Sequence, residues 1–312
     1  MLPRKLETDS IQAELSSIRN LIKNCEKYGD FIGKMQFEHK KASLESQLIS
    51  IKNTKEAEKA SVALFFAGNP VLGSQAINAD FAGNAISEFQ HIVSKVFANS
   101  ELGQLGSRGN VALSNKSQMM ITSIAKGSFG FVLEEIDAQN DLAQETALKS
   151  VVEKVVSIIE KVASNNSIDF ENILPEIDHR TLLSLRDFFA NLDKNKATIR
   201  LVDSVKEICL DGISVHRARE RIENTKIEDA SHLIEGVLQG FLPEHRQFEL
   251  KLPNTETIYG KATKEFADEY EKMVSDGIAV INNAWKVEAS IRTIKPINSN
   301  EKTIYKLLRF SN

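Results

Sequence analysis

Hydrophobic residues recur every three or four positions near the start of the chain, and this spacing predicts two amphipathic helices over residues 6–53. The two stripes consist of Ile11, Leu15, Ile18, Ile22 and Cys25, and of Phe37, Leu44, Leu48 and Ile51. Tyr28-Gly29-Asp30 interrupts the pattern, because glycine ends a helix and aspartate favours the next cap. The pattern predicts a coiled-coil-like helical hairpin, residues 1–56, that packs on the rest of the protein or on a second copy.

The next segment, residues 57–164, is predicted to be an α+β block with a small sheet. Apolar residues alternate after Ser61 as in a strand, and a helix opened by Asn78 or Asp80 follows. Met119–Ile124 and Phe129–Glu135 predict a hairpin. Its turn is residues 125–128, and the alternation places Phe129, Phe131 and Leu133 on the core face.

A long amphipathic helix is predicted from Asn140 to Ala163, and the polar run that follows it is the predicted domain boundary. Residues 165–227 are predicted to be a connector of helices and strands. Asp178 is predicted to cap a helix, and Ser214 is predicted to cap a second, charged one. Two paired strands, Thr198–Val202 and Lys206–Leu210, lie between these helices.

The last segment, residues 228–312, has the pattern of a small β-barrel. Three strand-like runs, a helix over Thr263–Ser275 and two further runs follow one another; the runs are His232–Phe241, Gln247–Leu252, Thr257–Ala262, Ala284–Ile294 and Lys302–Phe310. This is the element order of a five-stranded OB-fold, while an SH3-like barrel or an unrelated sheet are the alternatives. The overall fold class is therefore predicted to be α+β.

Composition places the chain among soluble globular proteins of two or three domains. It has 312 residues, of which 42% are hydrophobic and 26% charged. The net charge of −4 argues against a protein whose whole surface binds nucleic acid. Cys25 and Cys209 are far apart in the sequence and do not suggest a disulfide framework, and the start of the chain has no signal-peptide pattern. We expect a cytoplasmic protein without a membrane span.

The sequence contains no motif that names a reaction. Walker A, GxGxxG, HExxH, paired CxxC and GxSxG patterns are absent, so we predict no cofactor, no metal site and no catalytic residue. An enzyme whose catalytic residues are dispersed along the chain stays open as an alternative.

A glycine-rich loop is the first candidate binding feature. Gly106, Arg108 and Gly109 can form an anion site from backbone N–H groups and a guanidinium, and Lys126, in a second glycine turn, is a candidate to join them. The alternative is that the glycines only permit tight turns and that Arg108 is solvated.

Aromatic and basic residues of the predicted barrel are the second candidate. Tyr259, Lys261, Trp285, Lys286 and Arg292 are the residue types with which OB barrels bind single-stranded nucleic acid. The alternative assigns them to the core and to the surface, because a single tryptophan in a small barrel is commonly buried. Residues 251–312 carry ten basic and eight acidic groups, which is not the composition of a strongly basic groove.

The run GSRGN followed by ITSIAKGSFGFVLEE, with the segment before it, resembles an uncharacterised bacterial protein family that shares a GSRG loop and a GSFGF hairpin. The resemblance covers about residues 60–136. It implies a bacterial origin and a shared α+β block, and it implies no activity or catalytic residue.

These observations favour a non-enzymatic cytoplasmic binding or adaptor protein that acts through protein interfaces and forms a homo-oligomer. The first alternative is a nucleic-acid-binding accessory protein that uses the barrel and the Arg108 loop. The second alternative is a hydrolase with dispersed catalytic residues.

Overall fold

The computed structural model describes residues 3–53, 59–102, 109–125, 129–136, 146–296 and 301–311, and its mixture of helices and strands confirms the α+β class. The first elements are α1 (Arg4–Tyr28), α2 (Phe31–Asn53), β1 (Ser61–Gly68), β2 (Val71–Leu72), β3 (Ala76–Ile77), α3 (Ala79–Leu102), β4 (Met119–Ala125) and β5 (Phe129–Glu135). The middle elements are α4 (Ala147–Ala163), α5 (Ser167–Ile173), α6 (His179–Lys194), β6 (Ala197–Val202), β7 (Glu207–Leu210) and α7 (Gly212–Glu223). The last elements are β8 (Thr225–Leu242), β9 (Gln247–Lys251), β10 (Thr257–Ala262), α8 (Lys264–Ser275), β11 (Ala284–Pro296) and β12 (Lys302–Ser311).

Helices α1 and α2 form the predicted hairpin. Gly29, with φ of 73°, ends α1, and the Asp30 carboxylate accepts a hydrogen bond of 2.9 Å from the Gly33 N–H at the start of α2. The two predicted stripes pack against each other, and Ile11, Leu15, Ile18 and Leu44 are buried between the helices. Because the stripes cover each other within one chain, any self-association of the hairpin has to use other residues.

One antiparallel sheet forms the centre of the molecule in the order β4-β5-β1-β6-β7. In the middle strand, Leu64 lies opposite Phe131 of β5 and Leu201 of β6. Helices α3, α4, α6 and α7 bury one face of this sheet in a single core, which we call the main core. The predicted division after residue 164 therefore does not separate two cores, because strands from both sides of it pair in one sheet.

The hairpin β4–β5 is the one that the sequence predicts. Ala125 lies opposite Gly130, and Met119 lies opposite Glu135. Leu133 is buried in the main core and Phe131 packs against it, as the alternation indicates. Residues 126–128 of the predicted turn lie outside the described residues.

Two helix caps follow the sequence prediction. The Asn78 side-chain oxygen accepts a hydrogen bond of 2.9 Å from the Phe81 N–H at the start of α3. The Asp178 carboxylate accepts one of 2.6 Å from the Thr181 N–H at the start of α6. Each cap provides a partner for a backbone donor that has none within the helix, which fixes where the helix begins.

The starts of two other helices differ from the prediction. Ser214 does not cap α7; its N–H donates to the Asp211 carboxylate at 2.8 Å, so the helix begins at Gly212. An aspartate with an extended backbone takes the cap position before a serine inside the first turn can do so. Helix α4 begins after its cap Thr146, and the predicted earlier start at Asn140 lies outside the described residues.

The C-terminal strands form a closed barrel in the order β8-β9-β10-β12-β11. Strands β10 and β12 run parallel, and each of the other neighbouring pairs is antiparallel. Helix α8 lies between β10 and β11 in the chain, so the predicted order of three strands, a helix and two strands is present. The barrel has its own core, which contains Phe248, Leu250, Phe266 and Leu307.

Strand β8 is longer than the sequence predicts. It spans eighteen residues and begins at Thr225 instead of His232, so the predicted boundary at residue 228 falls inside it. Its first half pairs with the second half of β11, where Ile227 lies opposite Ile294, and both side chains are buried in the main core. Charged residues on both sides of Ile227 conceal this extension in the sequence. The β8–β11 ribbon thus joins the barrel to the main core.

Candidate anion-binding cleft

A cleft of about 980 Å³ lies between the main core and the barrel. Its walls come from the end of α3, the start of α6, the first half of β8, the start of α8 and the strand β12. Nine charged side chains line it, four of them basic and five acidic: Arg180, Arg246, Lys264 and Lys306, and Glu101, Asp178, Glu228, Asp229 and Glu265. The fold therefore brings together cations that are dispersed along the sequence.

Lys306 lies at the centre of the basic residues on the barrel wall. In the parallel pair β10–β12 it is directly opposite Lys261, while the next residue, Leu307, points into the barrel core. Arg246 is held beside β10, because its carbonyl oxygen accepts a hydrogen bond of 2.7 Å from the N–H of Ala262 in that strand. We refer to Lys306, Lys261 and Arg246 as the basic cluster.

The charge of Lys306 is poorly compensated. Burial lowers the pKa of its ammonium group, and the positive charges of Arg292 and Arg246 lower it further. Among the described residues, no carboxylate forms an ion pair with Lys306, Lys261 or Arg246. Glu265 is near enough to act in the opposite direction, but its effect is weaker. A half-buried cation surrounded by other cations is stabilised when an anion binds beside it.

Arg292 contributes its charge but has partners. Its Nε donates to the Asp229 carboxylate at 2.7 Å, and its Nη1 donates to the Pro175 carbonyl oxygen at 3.1 Å. The side chains of Arg292 and Asp229 are each only 14% exposed. This residue connects the barrel to the segment before α6, so it is a structural tie more than a free ligand group.

The opposite wall of the cleft belongs to α6. The Arg180 guanidinium donates to the Gly109 carbonyl oxygen at 2.7 Å. Asp178 is buried, and while one of its oxygens caps α6, the other has no hydrogen-bond partner among the described residues. The neighbouring His179 ring donates from Nδ1 to the Ile227 carbonyl oxygen at 3.0 Å, which holds this wall against β8.

A lysine–serine contact lies near the same wall. Burial and the charge of Arg180 lower the pKa of Lys95, and its ammonium group donates to the Ser184 hydroxyl. Such a pair occurs in some hydrolases. Ser184 is only 3% exposed, so this hydroxyl is not presented to a substrate. The contact does not give the hydrolase alternative a site.

The structure separates the five predicted nucleic-acid residues into two groups. Lys261 and Arg292 lie around Lys306, and Tyr259, 64% exposed, lies two residues before Lys261 on the same outer face of β10. Trp285 instead donates from its indole N–H to the Val280 carbonyl oxygen at 2.8 Å and packs, partly buried, against the barrel core. Lys286 is exposed near the other end of β11.

The predicted glycine-loop site is only partly described. Gly106, Arg108 and Lys126 lie outside the described residues. Gly109 has the positive φ, 100°, that the sequence suggests for this loop, and its carbonyl oxygen is the acceptor for Arg180. The residue before the undescribed stretch, Leu102, lines the cleft. The anion-binding role of the loop stays a prediction.

Sequence reasoning missed Arg180, Arg246 and Lys306. Lys306 had one local signal, because it is a single charged residue among Ile304, Tyr305, Leu307 and Leu308 in a predicted strand. That signal does not show which residues surround the lysine. Its neighbours follow from the parallel contact between β10 and β12, which joins segments that are separated by a helix and another strand.

The described residues offer neither a metal site nor a membrane-spanning helix, and comparisons with known proteins identify no relative. The described residues contain no group of three or more His, Cys, Asp or Glu placed to hold a metal ion. No helix in the described part of the chain is sufficiently long and apolar to cross a membrane. No family model, curated protein or solved structure matches the chain. The resemblance to a bacterial family with GSRG and GSFGF motifs therefore stays a prediction.

Proposed function

We propose that the protein binds single-stranded nucleic acid across the basic cluster on the outer face of the barrel. The observation that carries this proposal is the unpaired, half-buried charge of Lys306 between Lys261 and Arg246. Phosphate is the anion that such a group of lysine and arginine side chains favours, because each phosphate oxygen accepts charge-assisted hydrogen bonds.

The topology of the barrel supports an oligonucleotide as the ligand. Counting from β8, the barrel closes in the order 1-2-3-5-4, with the third and fifth strands parallel and a helix after the third. This arrangement favours an OB-like over an SH3-like barrel. OB-folds bind oligonucleotides on the face of their second and third strands and on the loop that joins the first two strands. Here these parts carry Tyr259, Lys261 and Arg246.

Tyr259 supplies the second kind of contact that single strands need. Its ring is exposed beside Lys261, so a base can stack on it while the neighbouring phosphate meets the ammonium group. Each stacked base contributes about 1–3 kcal/mol, without a preference for sequence. We therefore expect salt-sensitive binding with little sequence specificity.

The test is fluorescence anisotropy with a labelled twenty-nucleotide deoxythymidine strand at low ionic strength. Lys306→Ala and Arg246→Ala are each expected to raise Kd about tenfold, because each removes one charge-assisted phosphate contact. Lys286→Ala is the matched control, since it removes another exposed lysine from the barrel but lies away from the cluster. Its Kd should stay within about twofold of the parent, the change expected from net charge alone.

Two outcomes would overturn the proposal. One is that the parent protein does not bind the strand at protein concentrations of tens of micromolar in 50 mM salt, conditions under which non-specific phosphate binding is measurable. The other is that Lys306→Ala and Lys286→Ala weaken binding equally, because general electrostatics would then explain the affinity.

A cytoplasmic adaptor that binds another protein is the second candidate, and the edge of the main sheet favours it. Strand β4 has no neighbour on its outer side among the described residues, and Met120, Ile121 and Ile124 are each more than half exposed on it. An open edge strand with apolar side chains accepts an added strand. Ile124→Lys should abolish binding of an extended apolar peptide in titration calorimetry, if this edge is the adaptor surface.

A further inference from the structure

Helix α2 carries a second stripe, on the side that faces away from α1. Its members follow one another at steps of three and four residues, as the core positions of a coiled coil do: Ile32, Met35, His39, Ala42, Ser46 and Ile49. All six are exposed, and the three large apolar members are 71%, 69% and 59% exposed from first to last. The stripe that packs on α1 uses other residues, so α2 has one apolar side covered and one uncovered.

Apart from the His39 imidazole, the polar groups on and beside the uncovered stripe already have partners within the hairpin. The Ser46 hydroxyl already donates to the Ala42 carbonyl oxygen of its own helix at 2.9 Å. Glu38 and Glu45, which flank the stripe, already have cationic partners within the hairpin, at 3.8 Å from Lys34 and 3.7 Å from Arg19. No lysine or arginine interrupts the stripe itself.

The order of side chains along the stripe is complementary to its own reverse. If two copies of α2 pack antiparallel around an axis between residues 40 and 41, Ile32 lies opposite the partner's Ile49. Met35 then lies opposite the partner's Ser46, and His39 opposite the partner's Ala42. Large residues thus meet small ones near the axis, and isoleucines meet at both ends, which is how packed helices avoid both cavities and clashes. A twofold axis generates each of these contacts twice.

We propose that the outer stripe of α2 is the surface through which two copies of this protein associate, in an antiparallel arrangement. With Phe31, 82% exposed at the end of the stripe, the four large apolar side chains present roughly 600 Å² per copy for burial. That is near the size of a standard specific interface, about 800 Å² per partner. The stripe also extends for about 26 Å along the helix, which fits another helix better than a membrane surface touched by the hairpin tip.

Solution mass provides the first test, on the full chain between 1 and 100 µM. We expect a dimer, and we expect Met35→Glu and Ile49→Glu to be monomeric, with a shift in dissociation constant of at least a hundredfold. Leu72→Glu is the matched control, because Leu72 is 68% exposed in the short strand β2, outside the hairpin. Unchanged far-ultraviolet circular dichroism of each variant shows that the loss of the dimer is not a loss of fold.

Cross-linking tests the orientation, in a chain whose Cys25 and Cys209 are changed to serine. A mixture of the Ile32→Cys and Ile49→Cys proteins should form a disulfide-linked dimer, while neither protein should do so alone, since like positions lie about 26 Å apart in the antiparallel pair. A parent that is monomeric at 100 µM, cross-linking of Ile32→Cys with itself, or Met35-dependent sedimentation with phosphatidylglycerol vesicles would overturn the proposal. None of these results bears on the binding of single-stranded nucleic acid by the barrel.

Discussion

At the residue scale, the chemistry of the cleft depends on one lysine. The ammonium group of Lys306 is half-buried and lies near the positive charges of Arg292 and Arg246. Lysine is suited to this role because its pKa responds to its surroundings, whereas arginine stays charged in nearly every environment. The protonation of Lys306 and the binding of an anion are therefore linked.

The first prediction concerns the pH dependence of that link. A bound phosphate favours the charged form of Lys306, so affinity is greatest where the free protein already carries the proton. As pH rises through the lowered pKa of Lys306, below the ordinary lysine value of 10.5, the free protein loses this proton and affinity should fall. Anisotropy titrations between pH 7 and pH 10 at constant ionic strength measure this change.

Lys306→Arg is the control for the pH experiment. It keeps the positive charge across the whole range, so its affinity should stay nearly constant where that of the parent declines. An equal decline in both proteins would assign the pH dependence to another group and would contradict the central role of Lys306.

At the element scale, the basic cluster depends on the parallel contact between β10 and β12. Gly260 lies opposite Tyr305 in this contact. A Cβ atom at Gly260 would collide with the backbone oxygen of Tyr305 and would lie 2.9 Å from the Phe248 ring. Only glycine allows the two strands to approach this closely, and the same approach places Lys261 opposite Lys306.

The second prediction is that Gly260→Ala separates these strands. We expect the free energy of unfolding to fall by about 3 kcal/mol, the upper range for overpacking, because a backbone oxygen cannot move aside as a side chain can. Binding of single-stranded nucleic acid should weaken as well, because the same contact positions Lys261 and Lys306. Gly240→Ala is the matched control, since the nearest atom to its added Cβ would be 3.9 Å away, an ordinary contact. Chemical denaturation of the two variants should differ clearly; equal stabilities would refute this account of the strand contact.

At the scale of the whole molecule, the β8–β11 ribbon joins the barrel to the main core, and Ile304 of β12 packs against the main core as well. Ile227 of β8 and Ile294 of β11 are buried in the main core. Both strands also form part of the barrel. The Arg292–Asp229 ion pair and the hydrogen bond to Pro175 add polar contacts at this junction. A ribbon that belongs to two cores transmits the unfolding of one to the other.

The third prediction is that both cores unfold in one transition. Trp285 is the single tryptophan of the chain and packs against the barrel core, so its fluorescence reports the barrel, whereas far-ultraviolet circular dichroism mainly reports the helices outside the barrel, in the main core and in the α1–α2 hairpin. The two signals should have the same denaturant midpoint. Ile294→Ala should lower the free energy of unfolding by about 2–4 kcal/mol, and both midpoints should therefore fall together. A fluorescence midpoint well separated from the dichroism midpoint would show that the barrel unfolds independently.

Local spacing by itself determined the helical hairpin, the β4–β5 pair, the cap at Asp178 and the order of elements in the barrel, and it narrowed the start of α3 to Asn78 or Asp80. These features depend on contacts between residues a few positions apart, or on an alternation that one segment displays alone, so the sequence contains their full signal. The same reasoning placed the start of α7 at Ser214, because it weighed two adjacent cap residues without the backbone conformation that decides between them.

Tertiary structure alone decided which charged and aromatic residues act together. Tyr259, Lys261, Trp285, Lys286 and Arg292 are similar candidates in the sequence, but pairing in the barrel places Lys261 beside Lys306 and directs Trp285 into the core. It also extended β8 into the main core, where Ile227 has charged neighbours in the sequence and an apolar environment in the fold. Such groupings arise from pairing between strands that are distant along the chain, and no local periodicity records the identity of a distant neighbour.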